Sequence, residues 1–179
     1  MAGEDQKRKI PYVRAVTPMA HHRLYLEFGS GSVLDLSLEH RLRSARYYDL
    51  NDDRIFYSAV TDGSKIIFDT GTRFALELQA DEAIERAVCE WDGTMTLPNI
   101  RLAENGQLRL EMENTSVLTL NMAYWLNTVR YSPLKESEVL QAVRTDGEAL
   151  FFGGVLTISL QELTRLALTI PPAGKEETV

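Results

Sequence analysis

Leu24-Tyr25-Leu26-Glu27-Phe28-Gly29-Ser30-Gly31-Ser32-Val33-Leu34-Asp35-Leu36 is the stretch on which the fold turns, because it occurs twice. Displaced by 84 positions, Leu24, Leu26 and Glu27 fall on Leu108, Leu110 and Glu111, and Ser32-Val33-Leu34 falls on Ser116-Val117-Leu118. The match runs outward: Arg46-Tyr47 meets Arg130-Tyr131, Thr61-Asp62-Gly63 meets Thr145-Asp146-Gly147, and Phe68 meets Phe152. Over residues 24–68 about a third of the positions are identical without a gap, which is the mark of an internal repeat. The chain therefore reads as a tandem duplication. Short disordered tails are expected at 1–9 and 172–179, a first repeat at 10–92 and a second, degenerate one at 93–171.

Within the quoted stretch, Leu24, Leu26 and Phe28 alternate with Tyr25 and Glu27, the period of a half-buried strand. Gly29-Ser30-Gly31 supplies the turn, and Leu34, Leu36 and Leu38 alternate on the return strand. Upstream, Tyr12 to Val16 reads as a strand stopped by Thr17-Pro18. The second copy of the hairpin has Leu108, Leu110, Met112 and Leu118, Leu120, Met122, with Asn114 expected to take any left-handed position in its glycine-free turn. Glu39 to Asn51 reads as a loop with one helical turn, after which Ile55 and Phe56 enter the core. Asp62-Gly63 and Asp146-Gly147 are hairpin turns.

Phe74, Leu76 and Leu78 then alternate, and a helix follows, capped by Asp81, with Ile84, Ala87, Val88 and Trp91 on one face. Asp92-Gly93 ends it. In the second copy Leu156, Ile158 and Leu160 are expected to match Phe74, Leu76 and Leu78, with Gly153-Gly154 as a bulge. Ser159 and Glu162 make a capping-box pattern for a helix with Leu163, Leu166 and Ala167 inward, stopped by Pro171-Pro172. The sum is α+β: two small, mostly antiparallel sheets, each with a C-terminal helix, packed through apolar faces about an approximate internal two-fold axis.

The formal net charge of −7 divides almost evenly. Residues 1–90 hold 12 basic and 15 acidic side chains, hence −3, and residues 91–179 hold 7 and 11, hence −4. Neither half has the clustered positive field of a nucleic-acid-binding domain. The single cysteine, Cys89, cannot form an intramolecular disulfide, which fits a reducing cytosol. No run approaches membrane-spanning length and the polar start has no apolar leader, so a cytoplasmic protein without membrane contact is expected. Asn114-Thr115-Ser116 matches a glycosylation sequon only by chance on that reading.

Val13-Arg14-Ala15-Val16-Thr17-Pro18, then Arg23 to Phe28 with its glycine turn, then Val33-Leu34-Asp35-Leu36-Ser37, resembles the bacterial family catalogued as domain of unknown function 2442. The resemblance continues through Tyr48-Asp49-Leu50, Ile55-Phe56, Asp62-Gly63 and Ile67-Phe68-Asp69 and covers nearly all of residues 11–88. It implies a small α+β domain, in some members fused to a helix-turn-helix and often encoded beside small proteins of possible toxin–antitoxin pairs. It supplies no catalytic residues. Where a helix-turn-helix would stand, this chain has its second copy, with Thr119 for Asp35 and Gly153 for Asp69. DNA binding is accordingly not carried over.

Motifs for chemistry are few. Adjacent His21 and His22 on an extended chain would point to opposite faces and have no ligand at metal spacing. Asp49, Asn51 and Asp53 start like a calcium loop, but Arg54 and Val60 stand where it needs glycine and glutamate. Gly29-Ser30-Gly31 joins strand to strand, which suits neither a phosphate loop nor a nucleophile elbow. No metal or cofactor is expected.

Arg41, Arg43 and Arg46, with His40 and Tyr47, are the one concentration of positive charge after the tail and the candidate partner-binding residues. The plainer alternative pairs them with Asp49, Asp52 and Asp53 on a solvated loop. Tyr124, Trp125 and Asn127 replace His40, Arg41 and Arg43 in the second copy. The expectation is a non-catalytic binding or regulatory module acting through a protein partner, antitoxin-like, with self-association left open. A small-molecule binder or a hydrolase with a hidden site is the alternative, and a nucleic-acid regulator the next.

Overall fold

The computed structural model describes residues 12–172. Apart from Pro172, the tails expected at 1–9 and 172–179 lie outside those residues. From Tyr12 the chain forms β1 (Val13–Met19), β2 (Arg23–Phe28) and β3 (Val33–Ser37). Two 3-10 turns (Glu39–Arg41 and Tyr48–Asn51) and α1 (Asp53–Phe56) follow, then β4 (Val60–Thr61), β5 (Lys65–Phe68), β6 (Leu76–Gln79) and α2 (Ala80–Val88). The same order returns as β7 (Asn99–Leu102), β8 (Gln107–Glu111) and β9 (Val117–Asn121), then 3-10 turns Trp125–Asn127 and Ser132–Lys135 and α3 (Ser137–Gln141). It ends with β10 (Val143–Thr145), β11 (Ala149–Phe152), β12 (Leu156–Ser159) and α4 (Leu160–Leu168). All strand pairs are antiparallel, so the class is α+β.

The two meanders do not stack face to face. They join edge to edge into one six-stranded sheet of order β1-β2-β3-β9-β8-β7, flanked by the three-stranded sheets β4-β5-β6 and β10-β11-β12. At the junction Leu34 faces Leu118, with Val33 opposite Thr119 and Asp35 opposite Val117. Two buried serines extend the seam: the Ser37 amide donates to Ser116 Oγ at 3.0 Å and the Asn121 amide to Ser32 Oγ at 3.0 Å. Because strand side chains alternate, one face of the sheet collects Leu24, Leu26, Leu34, Leu36, Leu108, Leu110, Leu118 and Leu120, all at most 1% exposed.

Helices α2 and α4 lie on that leucine face and touch each other, and the buried side chains of both halves form one core. Each hairpin turn also ties to the other half's helix. Asn114 Nδ2 donates to the Ala87 carbonyl at 2.9 Å, and Ser30 Oγ donates to the Ala167 carbonyl.

Several local expectations change. β1 runs through Pro18, because β1 is the outermost strand of the sheet and an edge tolerates a residue without an amide hydrogen. The left-handed position of the second hairpin turn belongs to Thr115 (φ 69°) and not Asn114, whose Oδ1 instead accepts the Ser116 amide at 2.9 Å. Phe74 is 83% exposed and lies before β6, and Trp91 is 57% exposed beyond α2, which ends at Val88. Gln79 stands at the N-cap of α2 and Asp81 inside its first turn.

Gly153 and Gly154 (φ 55° and 76°) form the tight turn between β11 and β12, not a bulge. That turn spans residues 153–155 where the first half uses 69–75, four more, so Leu76 and Leu78 correspond to Leu156 and Ile158. By contrast, Gly31 (φ 84°), both Asp-Gly turns and the Ser159 cap of α4 stand as expected, the Ser159 Oγ accepting the Glu162 amide at 3.2 Å.

Candidate functional site

The arginine loop owes its shape to Leu38, Leu42, Tyr47 and Leu50, all buried, which pin the polar chain to the core in two 3-10 turns. This separates the candidate residues. Arg43 faces solvent. Arg46 turns to the first turn of α2, donating to Glu82 Oε2 at 2.7 Å and to the Glu77 carbonyl at 3.1 Å. Tyr47 is 2% exposed and donates to Glu82 Oε1 at 2.7 Å. Arg41 is 6% exposed and turns to the other end of α2.

The arginines therefore neither converge on one surface nor pair with Asp49, Asp52 and Asp53. Asp52 is taken by Arg54 at 3.0 Å, and Asp53 lies 3.8 Å from His22. Arg46 reaches the Glu82 carboxylate at one end of α2, and Arg41 reaches the Arg86 and Cys89 carbonyls at the other.

The second half builds a like cluster. Arg130 holds Glu162 through Nε and Nη2, each at 2.7 Å, Tyr131 donates to Glu162 Oε1, and Arg165 stands 3.8 Å away. For Glu82, burial opposes ionisation but the Tyr47 and Arg46 hydrogen bonds outweigh it and leave the carboxyl below its ordinary value. For Glu162 the Arg130 hydrogen bond dominates and acts in the same direction. The signal for these clamps was in the repeat, as Arg46-Tyr47 and Arg130-Tyr131. The glutamates escaped an ungapped comparison because of the four-residue difference before α4.

Arg41 stands in a cleft of about 280 Å³ between the halves. Its Nη2 donates to the carbonyls of Cys89 at 2.7 Å and Arg86 at 3.4 Å, and its guanidinium lies 4.9 Å from the Trp91 ring centre. No carboxylate among the described residues pairs with it, and its Nε and Nη1 have no acceptor there. Burial, then repulsion from Arg86, lowers its pKa from the ordinary guanidinium range. Arg86 itself is engaged by Tyr47, Glu82 and Glu85. Glu113 and Asn114, from the β8–β9 turn, complete the wall. In the second half Trp125 occupies the position of Arg41, edge-on to Tyr131 at 6.1 Å.

His21 and His22 occupy the β1–β2 turn with positive φ (60° and 52°), not extended chain. The His22 ring rests edge-on against Phe56. Among the described residues no group of three or more His, Cys, Asp or Glu is placed to hold a metal ion. No described helix is long and apolar enough to cross a membrane.

The outer face of the six-stranded sheet carries another concavity, a groove of about 320 Å³. Tyr25, Val33 and Asp35 line it from the first half, and Arg109, Val117 and Thr119 from the second. Its charges are paired within the face: Arg23 with Asp35 at 2.9 Å and Arg109 with Glu111 at 2.8 Å. No family model, curated protein or solved structure matches the chain.

Proposed function

We propose that this chain is a non-catalytic binding or regulatory module that works through a protein partner held on the outer face of the six-stranded sheet. One observation carries the reading. The leucine face of that sheet is sealed by α2 and α4, while its other face offers Val33 and Val117 half-buried across the seam, beside Tyr25 at 36% exposure. A grooved surface with an aromatic, two valines and internally neutralised charges has the make-up of a protein–protein patch. The Asp35 and Arg109 charges keep their present partners when water is excluded, so their desolvation is partly compensated.

On this reading the halves are copies of one unit, related by an approximate axis through the Leu34–Leu118 pair, and the groove is the surface that duplication created. The cytoplasmic setting and the antitoxin-like role implied by the resemblance belong to the same proposal. The test is affinity capture from the native host with the wild-type chain and with a Val33→Arg, Val117→Arg variant, both confirmed folded by thermal melt. Loss of one specific partner in the variant supports the reading, and its retention overturns it. Sedimentation of the purified chain in the same two forms reveals whether the partner is a second copy.

A further inference from the structure

We infer that the cleft formed by Arg41, Trp91 and Asn114 binds a small organic monocarboxylate, with the Arg41 guanidinium as its anchor. The site is separate from the sheet face proposed above as a protein-binding surface.

The charge of Arg41 is the first ground. Arg41 is 6% exposed as a whole residue, and burying most of a charged side chain is costly unless the charge is paired. Its hydrogen bonds go to two carbonyls at the C-terminus of α2, which carry only partial negative charge, and its other contact is the neutral Trp91 ring. Nε and Nη1 are left without a protein acceptor among the described residues, on a side chain that lines the cleft. A carboxylate matches the planar fork of donors and completes the compensation.

Size and the surrounding charge narrow the class. At about 280 Å³ the cleft is slightly smaller than ordinary small-molecule sites, which start at about 300 Å³, so it suits only a small ligand. Glu90 and Glu113 stand exposed at its mouth, so a doubly charged phosphate is repelled where a single negative charge is balanced by Arg41. The half-exposed Trp91 indole adds a flat apolar wall for the body of the ligand. Asn114 is fixed on both sides of its amide, by Ala87 and Ser116, so the wall contributed by the second half is rigid. With Trp125 in place of Arg41, the second half has no equivalent anchor, and each chain holds one such site.

The full chain labelled with ¹⁵N, titrated at constant ionic strength with sodium benzoate, sodium acetate and inorganic phosphate, tests this through its two indole N–H signals. Benzoate should shift the Trp91 signal saturably at millimolar concentration, acetate more weakly, and neither should move Trp125. Phosphate should give no saturation. Arg41→Met should abolish the benzoate response, but Arg41 also caps α2 and the variant risks unfolding. Glu113→Gln changes only an exposed side chain, and removing its charge should tighten benzoate binding roughly twofold. Absence of a saturable Trp91 shift, saturation by phosphate in preference to benzoate, undiminished binding in a folded Arg41→Met chain, or no tightening in Glu113→Gln would each overturn the inference.

Discussion

Leu34 faces Leu118 at the centre of the ladder that joins β3 to β9, and both side chains are fully buried. The two residues lie 84 positions apart, in stretches of like sequence, Ser32-Val33-Leu34 and Ser116-Val117-Leu118. Truncating either to alanine should cost about 2–5 kcal/mol. The same register makes β3 complementary to itself. A fragment ending at Gly93 has an unpaired β3 edge and should dimerise through it, Leu34 on Leu34, while added 94–179 should displace one copy to give a one-to-one complex. A monomeric fragment with a sharp cooperative melt would show that the seam matters little to either half.

The Glu82 and Glu162 side chains are only 16% and 12% exposed, and each is held by an arginine and a tyrosine. Both carboxyls titrate below the ordinary glutamate value of 4.5. A depressed folded-state pKa means the unfolded chain takes up its proton first as the pH falls. The stabilisation is therefore complete above about pH 5 and disappears as the pH drops through the folded values. Glu82→Gln and Glu162→Gln should each lower stability at neutral pH by about 1.5–3 kcal/mol. The double variant should also lose much of the wild-type decline in stability between about pH 5 and 3. Urea melts across that range decide it, and an unchanged acid slope would remove the clamps from the account.

Periodicity made the hairpins legible, since Leu24, Leu26, Leu34 and Leu36 alternate and a strand with one buried face has no other way to satisfy them. Asp62-Gly63 and Ser159 were legible because their chemistry is local: a carboxylate or hydroxyl beside the amides it accepts. What escaped was long-range. Nothing in Val33 to Ser37 says that its outer edge pairs with β9, or that Ser32 and Ser116 extend the seam. Arg41 and Arg46 read as one charged cluster because sequence shows adjacency, whereas the two ends of α2 draw them apart. Phe74 and Trp91 fit the apolar pattern yet stand outside the elements it defined.

Cys89 is buried at the end of α2, where burial first and then the charge of Glu85 push its thiol up to about 11. At pH 8 only about one thiol in a thousand would then be the reactive thiolate. Ellman's reagent should label the folded chain far more slowly than free cysteine and at full speed in guanidinium. Rapid stoichiometric labelling of the native protein would contradict the burial assigned to this position.

Gly31 and Thr115 hold the same place in the two hairpin turns, both with positive φ (84° and 69°). Glycine adopts that region freely, whereas a β-branched residue is strained there by about 1–3 kcal/mol. Thr115 recovers part of this through Arg23, whose Nη1 donates to its Oγ1 at 2.9 Å and whose Nη2 donates to its carbonyl at 2.8 Å. Thr115→Gly removes the strain and the first bond but keeps the second, so it should stabilise the chain by about 1 kcal/mol, since an exposed hydrogen bond contributes less than the strain costs. Gly31→Ala should act in the opposite direction. A Cβ there would come within 2.8 Å of Asn121 Nδ2 and push it off the Ser30 carbonyl, to which it donates at 3.1 Å. Strain and the lost seam bond together should cost about 2–4 kcal/mol. Chemical denaturation of the two variants measures both, and the test is their sign: a destabilised Thr115→Gly would mean that the Arg23 Nη1 bond outweighs the left-handed backbone.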